Sequence, residues 1–392
     1  MKRLYKIIIL LTAATLLVGC NKNEVLSTEI NNETEANNTE LENKLNIENN
    51  SQVEEIEEVT KVDSEIIEQE IVEPEIIEPV YITLSFAGDC TLGGYKGQGA
   101  GNQFKDYFNE YGAEYFFSDV KSVFENDDLT LVNLEGPLTD YEQTANKEFP
   151  IKGEKEYVNI LLEGSVEVAN LANNHSYDCG QAGFDETKSL LLENNIGVIG
   201  EGNKFVTEIK GVKVGMLGYK IFNITDELKN TIKNDIENFK DEGVQIICVM
   251  THGGTPERVY ESNSTQESIS HYIVDCGADI VVGGHPHVIQ GIEYYNDKVI
   301  CYSLGNFSFG ANKNPSDKDT FIYQQTFKIE NNEINTVEYN VIPCRISSET
   351  NKNNYQPMLL INEEHDKVID RLRKYSEKYE VSIFDNQGVN NE

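Results

Sequence analysis

The sequence predicts one large α/β domain from about residue 81 onward, and two observations carry that reading. Short apolar runs alternate with stretches of helical period, the pattern of layered α/β proteins. Five of those apolar runs end on polar side chains able to ligate a metal, at the carboxyl ends where open α/β sheets place their ligands.

The strand candidates are 81–87, 129–134, 165–171, 212–218, 244–250, 279–282 and 299–302. Helices are expected between them. One covers 181–194. A second covers 226–242, with Thr225 as N-cap and Leu228, Ile232, Ile236 and Phe239 along one stripe. A third covers 265–276, where Ser264 and Glu267 have capping-box spacing. There Ile269, Tyr272, Ile273 and Cys276 share a face, and Gly277 can end the helix. After Asn306 the alternation stops. A hairpin is expected in 319–346, with Thr326–Ile329 and Val337–Val341 flanking Asn331-Asn332, and then a helix over 364–379. These bounds give a domain over 81–346 and a C-terminal helical extension over 347–392.

The first eighty residues read differently. Met1-Lys2-Arg3 and Lys6 precede an apolar run from Ile7 to Val18, a basic segment followed by a core too short to span a bilayer. Leu17-Val18-Gly19-Cys20 resembles a bacterial lipobox, in which the cysteine is acylated. The expectation is a lipoprotein signal peptide over 1–19 and a lipid anchor at Cys20, on the extracytoplasmic face of the cell membrane. Residues 21–80 hold 18 Asp and Glu against three Lys, with no glycine and no aromatic residue. Such a tract buries too little apolar area to offset chain entropy, so 20–80 reads as an acidic, solvated stalk.

The net charge of −35 argues against a nucleic-acid partner, for which phosphate neutralisation dominates affinity. It also repels an anionic substrate unless metal ions reverse the field locally. Beyond Cys20, the cysteines form no CxxC, and several sit inside apolar runs such as 245–250, as buried small hydrophobes do.

The chemistry lies at the strand ends. Strand 81–87 runs into Gly88-Asp89, and 129–134 ends on Asn133-Leu134-Glu135. Strand 165–171 gives way to Asn173-Asn174-His175, 244–250 to Thr251-His252, and 279–282 to Gly283-Gly284-His285-Pro286-His287. Four of the six histidines fall in these segments. Neutral imidazoles spaced i, i+2 suit divalent metals. Carboxylate, imidazole and amide together point to Mn, Fe or Zn, while the missing thiolates argue against a cysteine-type structural zinc.

These segments also resemble, in order over about 81–310, the successive motifs of the CapA family. The matching stretches are Gly88–Gly93, Asn133–Thr139, Ala172–His175 with Asp178 and Gly180, Gly284–Val288, and Tyr302–Phe307. The resemblance implies a part in making, exporting or anchoring poly-γ-glutamate at the cell surface, with the polymer or its membrane synthesis machinery as partner. It implies a fold related to calcineurin-like metallophosphoesterases, a four-layer α/β/β/α sandwich holding two divalent ions. In that likeness Asp89 is the first carboxylate ligand and Glu135 the bridging one. Asn174 is an amide ligand, and His252, His285 and His287 are the remaining imidazole ligands. His175 handles the leaving-group proton and so stays off the metal, with Asp178 orienting it.

Two places depart from the pattern. Phosphoesterases begin Asp-x-His, whereas Asp89 is followed by Cys90 and Thr91, so one metal position lacks an imidazole. Many relatives carry a glutamate four residues after the His252 position, where this chain has Pro256 with Glu257 beside it. Three functions fit: a capsule component, a metal-dependent phosphoester hydrolase unrelated to capsule, and a non-catalytic scaffold on the same fold.

Overall fold

The computed structural model describes residues 78–95, 103–331, 333–379 and 384. The expected signal peptide, Cys20 and the stalk up to residue 77 lie outside the described residues. From residue 78 onward the chain forms a mixed α/β fold with parallel and antiparallel strands and, among the described residues, seven α-helices. None of those helices is long and apolar enough to cross a membrane.

In chain order the strands are β1 (Val80–Thr91), β2 (Gly94–Tyr95), β3 (Leu129–Leu134), β4 (Ile151–Lys152), β5 (Val168–Asn170), β6 (Gly197–Ile199), β7 (Phe205–Ile209), β8 (Val212–Lys220), β9 (Ile246–His252), β10 (Ile280–Gly284), β11 (Ile292–Tyr295), β12 (Lys298–Cys301), β13 (Asn306–Phe309), β14 (Asp319–Glu330), β15 (Glu333–Arg345) and β16 (Met358–Leu359). The helices are α1 (Gln103–Tyr111), α2 (Lys121–Phe124), α3 (Val158–Glu163), α4 (Gly180–Glu193), α5 (Asp226–Asp241), α6 (Ser264–Cys276) and α7 (Asn362–Ser376). The larger sheet has the order β16-β15-β14-β1-β3-β5-β6, with β13 also pairing β1. Its β1, β3, β5 and β6 are parallel, and β14 to β16 extend it antiparallel. The smaller sheet, β11-β12-β10-β9-β8-β7, has a parallel centre and antiparallel edges.

Strand alternation sends side chains to opposite faces. Ile82, Leu84 and Phe86 of β1 join Leu129 and Leu131 of β3 and, from the smaller sheet, Met216, Ile246, Cys248, Ile280 and Val282 in one buried cluster. The opposite face of the larger sheet, through Ala87, Val132 and Ala169, packs on Phe104, Phe124, Leu161 and Leu191 of the first four helices. Ile247, Val249 and Val281 of the smaller sheet meet Ile232, Ile236 and Phe239 of α5 and Ile269 and Ile273 of α6. Each Val, Leu, Ile, Met or Phe side chain among these, fully buried, contributes about 1.5–3 kcal/mol. Helix α7 places Val368 and Leu372 in the cluster between the sheets.

All seven expected strands form, and so do the expected helices and hairpin. Two details differ. Asp89 lies inside β1 rather than past its end, because β13 pairs with β1 at Asp89↔Asn306 and prolongs it to Thr91. The cap of α6 is Asn263 rather than Ser264: Asn263 Oδ1 accepts from Gln266 N at 3.0 Å, and Gln266 Oε1 accepts from Asn263 N at 3.2 Å. The C-terminal stop is Gly277, at φ 114°, where a left-handed residue closes the helix.

Candidate metal centre

Parallel pairing of β1 with β3, and of β9 with β10, lines up the ligand-bearing strand ends. Asp89 is registered with Asn133, and Gly284 with His252. A Cβ at Gly284 would collide with Asp89 Oδ1, so this crossing requires glycine. Beyond β10 the chain turns through His285 and His287 at φ 100° and 58°. That conformation is costly for residues bearing a Cβ, and such strain collects at functional sites.

All the expected ligands converge. Donor atoms of Asp89, Glu135 and His287 lie within 4.8 Å of one another, as do those of Glu135, His252 and His285. Glu135 belongs to both groups. His287 Nδ1 stands 3.2 Å from Asp89 Oδ2 and 3.8 Å from Glu135 Oε2, while His252 Nε2 stands 3.6 Å from Glu135 Oε1. Asn174, although exposed, brings its Oδ1 to 2.7 Å from His252 Nε2. Thr91 Oγ1, two residues after Asp89 on the same strand, donates to Glu135 Oε2 at 3.3 Å.

Two buried atoms in this cluster have no hydrogen-bond partner: Glu135 Oε1 and His285 Nδ1. A lone buried polar atom costs about 1–3 kcal/mol, and a ligand bound here would offset that cost. Electrostatics point the same way. Burial opposes charge on Asp89, but the His287 hydrogen bond and the charges of His252 and His287 hold its carboxyl well below the usual range. Burial pushes the Glu135 carboxyl up to about 7, offset only in part by His287. Burial also opposes a proton on His287, yet Glu135 and Asp89 outweigh it and raise the ring to about 9. Burial and the neighbouring His287 lower His285 to about 4, and burial lowers His252 well below its usual value. A divalent cation would remove this conflict by letting Glu135 ionise and His287 deprotonate, so the donor set fits a metal.

His175 stands apart from both groups. Its Nδ1 lies 2.7 Å from Asp178 Oδ2, and Asp178 also accepts from Ile151 N at 2.6 Å. Lys147 pairs with Asp178, approaches His175 Nδ1 at 3.1 Å, and donates to Asn174 O at 3.1 Å. Asp178 therefore orients the ring.

Sequence reasoning missed several members. Asn133 is a hub: its Nδ2 donates to Asp89 Oδ1 at 2.7 Å and lies 3.1 Å from His252 Nδ1. Its Oδ1 accepts from Asn170 at 2.9 Å and Asn173 at 3.2 Å. Asn306 Oδ1 sits 2.8 Å from His287 Nδ1. Asparagines are depleted in strands, so their presence at apolar strand ends was an available signal. Lys147, on a loop without periodicity, offered none.

Comparison with known proteins covers the stretch of chain that carries these residues. The family model of the bacterial capsule synthesis protein PGA_cap matches residues 83–311. The PGA biosynthesis protein CapA of Bacillus subtilis (strain 168) is 31% identical over 250 residues, 58% of this chain and 63% of that protein. The capsule biosynthesis protein CapA of Bacillus anthracis is 30% identical over 254 residues, 58% of this chain and 60% of that protein. The match thus spans less than two thirds of either relative. A solved structure of a hypothetical protein from Thermus thermophilus covers 67% of this chain and 99% of its own, at TM-score 0.43 and 14% identity.

Proposed function

This chain belongs to the bacterial capsule synthesis protein PGA_cap family, and from that premise we propose that it acts in poly-γ-glutamate capsule synthesis, export or anchoring through a two-metal centre. The observation carrying the metal reading is the pair of donor groups sharing Glu135, with Glu135 Oε1 and His285 Nδ1 left unpartnered. In this reading Asp89, Glu135 and His287 hold one divalent ion, and Glu135, His252, His285 and Asn174 hold the other. Bound ions supply Lewis acidity toward a carbonyl or phosphoryl oxygen. The protein's own part is orientation and proton handling, with His175 held by Asp178 to serve the leaving group.

Two sheets sharing one interior, each with helices on its other face, support the four-layer sandwich of the calcineurin-like metallophosphoesterases. We place the protein on the extracytoplasmic face of the membrane, anchored through Cys20 and held off by the acidic stalk. Cys20→Ala should release it to the medium or leave it unprocessed, and unchanged membrane fractionation with normal cleavage would refute the anchor. A second reading, a phosphoester hydrolase unrelated to capsule, is favoured only by the likeness of the ligand set.

Elemental analysis of the full chain after incubation with Mn, Fe and Zn tests the centre. Near two ions per chain are expected, falling in Glu135→Ala and retained in His175→Ala. No stoichiometric transition metal in the wild type would sink the reading. Assays on γ-linked polyglutamate and on a generic phosphodiester separate the two functions.

A further inference from the structure

Arginine is scarce in this chain: five residues, in a molecule of net charge −35. Four are described, and three of them are answered by carboxylates. Arg345 pairs with Glu364, Arg371 with Asp317 and Asp319, and Arg373 with Asp370. The fourth, Arg258, is exposed and, among the described residues, its guanidinium has neither ion-pair nor hydrogen-bond partner. With Tyr95, Glu257, His287, Asn312 and Asp317 it lines a cleft, open to solvent, that reaches the proposed metal centre at His287.

Its placement is built into the fold. Arg258 sits at φ 63°, a strained value for a residue with a Cβ. Its N–H donates to Pro286 O at 2.7 Å, so its backbone is tied to the segment carrying His285 and His287. Gln290, fully buried, fastens the loop on both sides of it. The Gln290 amide donates to Thr255 Oγ1 at 3.0 Å, Val259 O at 2.8 Å and Glu261 O at 3.2 Å. Gln290 Oε1 in turn accepts from Gln266 Nε2 at 2.8 Å, which links the loop to the cap of α6. An exposed arginine with nothing to bind would not need such fixing.

Resting on the metal-centre reading above, we propose that Arg258 is the specificity-determining residue of this cleft, taking one carboxylate of an amide-linked acidic ligand beside the metal centre. A guanidinium fork matches a carboxylate in bidentate fashion. In a molecule this acidic, an arriving anion otherwise meets mostly carboxylates outside the metal ions. Glu257, exposed on the same wall, disfavours a dianion such as phosphate relative to a singly charged carboxylate. Asn312 offers amide hydrogen bonds to the uncharged remainder of the ligand.

The test uses the manganese-loaded full chain, with metal content read by elemental analysis. Calorimetry follows binding of a γ-linked glutamate pentamer and, separately, of inorganic phosphate. Arg258→Ala should weaken the pentamer by about 10–100-fold, the size of a lost charge-assisted pair, and phosphate by less than about threefold. Arg258→Lys should recover only part, since an ammonium lacks the fork. Metal content and thermal midpoint should stay at wild-type values. Equal pentamer affinity in wild type and Arg258→Ala overturns the proposal. So does a wild type that binds no pentamer, or a phosphate loss as large as the pentamer loss. A wild type without metal whose pentamer binding still needs Arg258 would overturn the metal centre and leave Arg258 standing.

Discussion

Two clusters of carboxylates and cations sit in this fold, and they have opposite bookkeeping. Around Arg371 every charge is answered: its guanidinium takes Asp317 Oδ2 at 2.5 Å and Oδ1 at 3.1 Å, and also Asp319, beside the stacked rings of Tyr260 and Tyr375. At the strand ends the opposite holds. Asp89, Glu135 and the three imidazoles crowd together with their pKa values driven apart, and two buried atoms have no partner. A satisfied cluster staples the surface. An unsatisfied one, kept at the cost of two strained histidines, is what the proposed metal centre accounts for.

Metal removal should give the largest difference between the clusters. At a thousandfold excess over Kd a bound ion stabilises the native state by about 4 kcal/mol. Adding a chelator to the loaded full chain should therefore lower its thermal midpoint by several degrees. The double variant His285→Ala/His287→Ala should show almost no chelator response. A wild type insensitive to chelator after loading would erase the distinction between the two clusters.

Arg371→Ala sharpens it from the other side. Removing the guanidinium leaves Asp317 and Asp319 facing each other, at a cost of about 2–3 kcal/mol once the partial exposure of the cluster is discounted. Denaturant unfolding should show that loss, while metal content and the chelator response stay as in wild type. Loss of metal in Arg371→Ala would mean the two clusters are coupled.

The strand ends were legible because their chemistry repeats: five apolar runs each end on a potential ligand, which sets Asp89, Glu135, Asn174, His252, His285 and His287 at carboxyl ends of strands, and the family resemblance supplied their roles. What stayed hidden was either short or aperiodic. Strands β6, β7 and β11 have three to five residues, too few for a period to show. The Asn133 hub depends on side chains meeting across β3 and β5, and the Arg371 cluster joins β14 to α7, contacts that no local spacing encodes. The unpartnered state of Glu135 Oε1 and His285 Nδ1 is a three-dimensional fact from the start.

A smaller test uses a third set of carboxyls, at the opposite ends of β3 and β5. Burial raises Asp127 to about 6, despite hydrogen bonds from Ser85 and Thr130, and raises Glu167 to about 7, despite one from Thr130 N. A carboxyl raised on folding holds its proton better in the native state. Its stabilising effect is fully present below the unfolded value near 4 and is lost as pH rises through 6 to 7. With chelator present, stability should fall between pH 5 and pH 8 by about 1 kcal/mol for each group, discounted for partial exposure. Glu167→Gln and Asp127→Asn should each flatten that slope. An unchanged slope in both variants would assign it to the histidine cluster instead.

The smallest expected effect concerns the cap of α6, where spacing and structure differ by one residue. Ser264 and Glu267 satisfy the capping-box pattern, yet Asn263 and Gln266 make the reciprocal bonds, at 3.0 and 3.2 Å. The reason lies in Gln266, which is buried and whose Nε2 is held by Gln290 Oε1 and Tyr302 O, so its Oε1 is already aimed at the backbone N–H of Asn263. Glu267 is instead engaged by Lys378 and Ser262. Asn263→Ala should cost about 1 kcal/mol, the usual worth of an N-cap. Ser264→Ala, at an exposed first-turn position, should stay within about 0.5 kcal/mol. Neither should alter the chelator response, because the Gln266–Gln290 pair that links the cap to the loop beside His285 and His287 is retained in both variants. A larger loss in Ser264→Ala than in Asn263→Ala would return the cap to the residue that spacing alone selects.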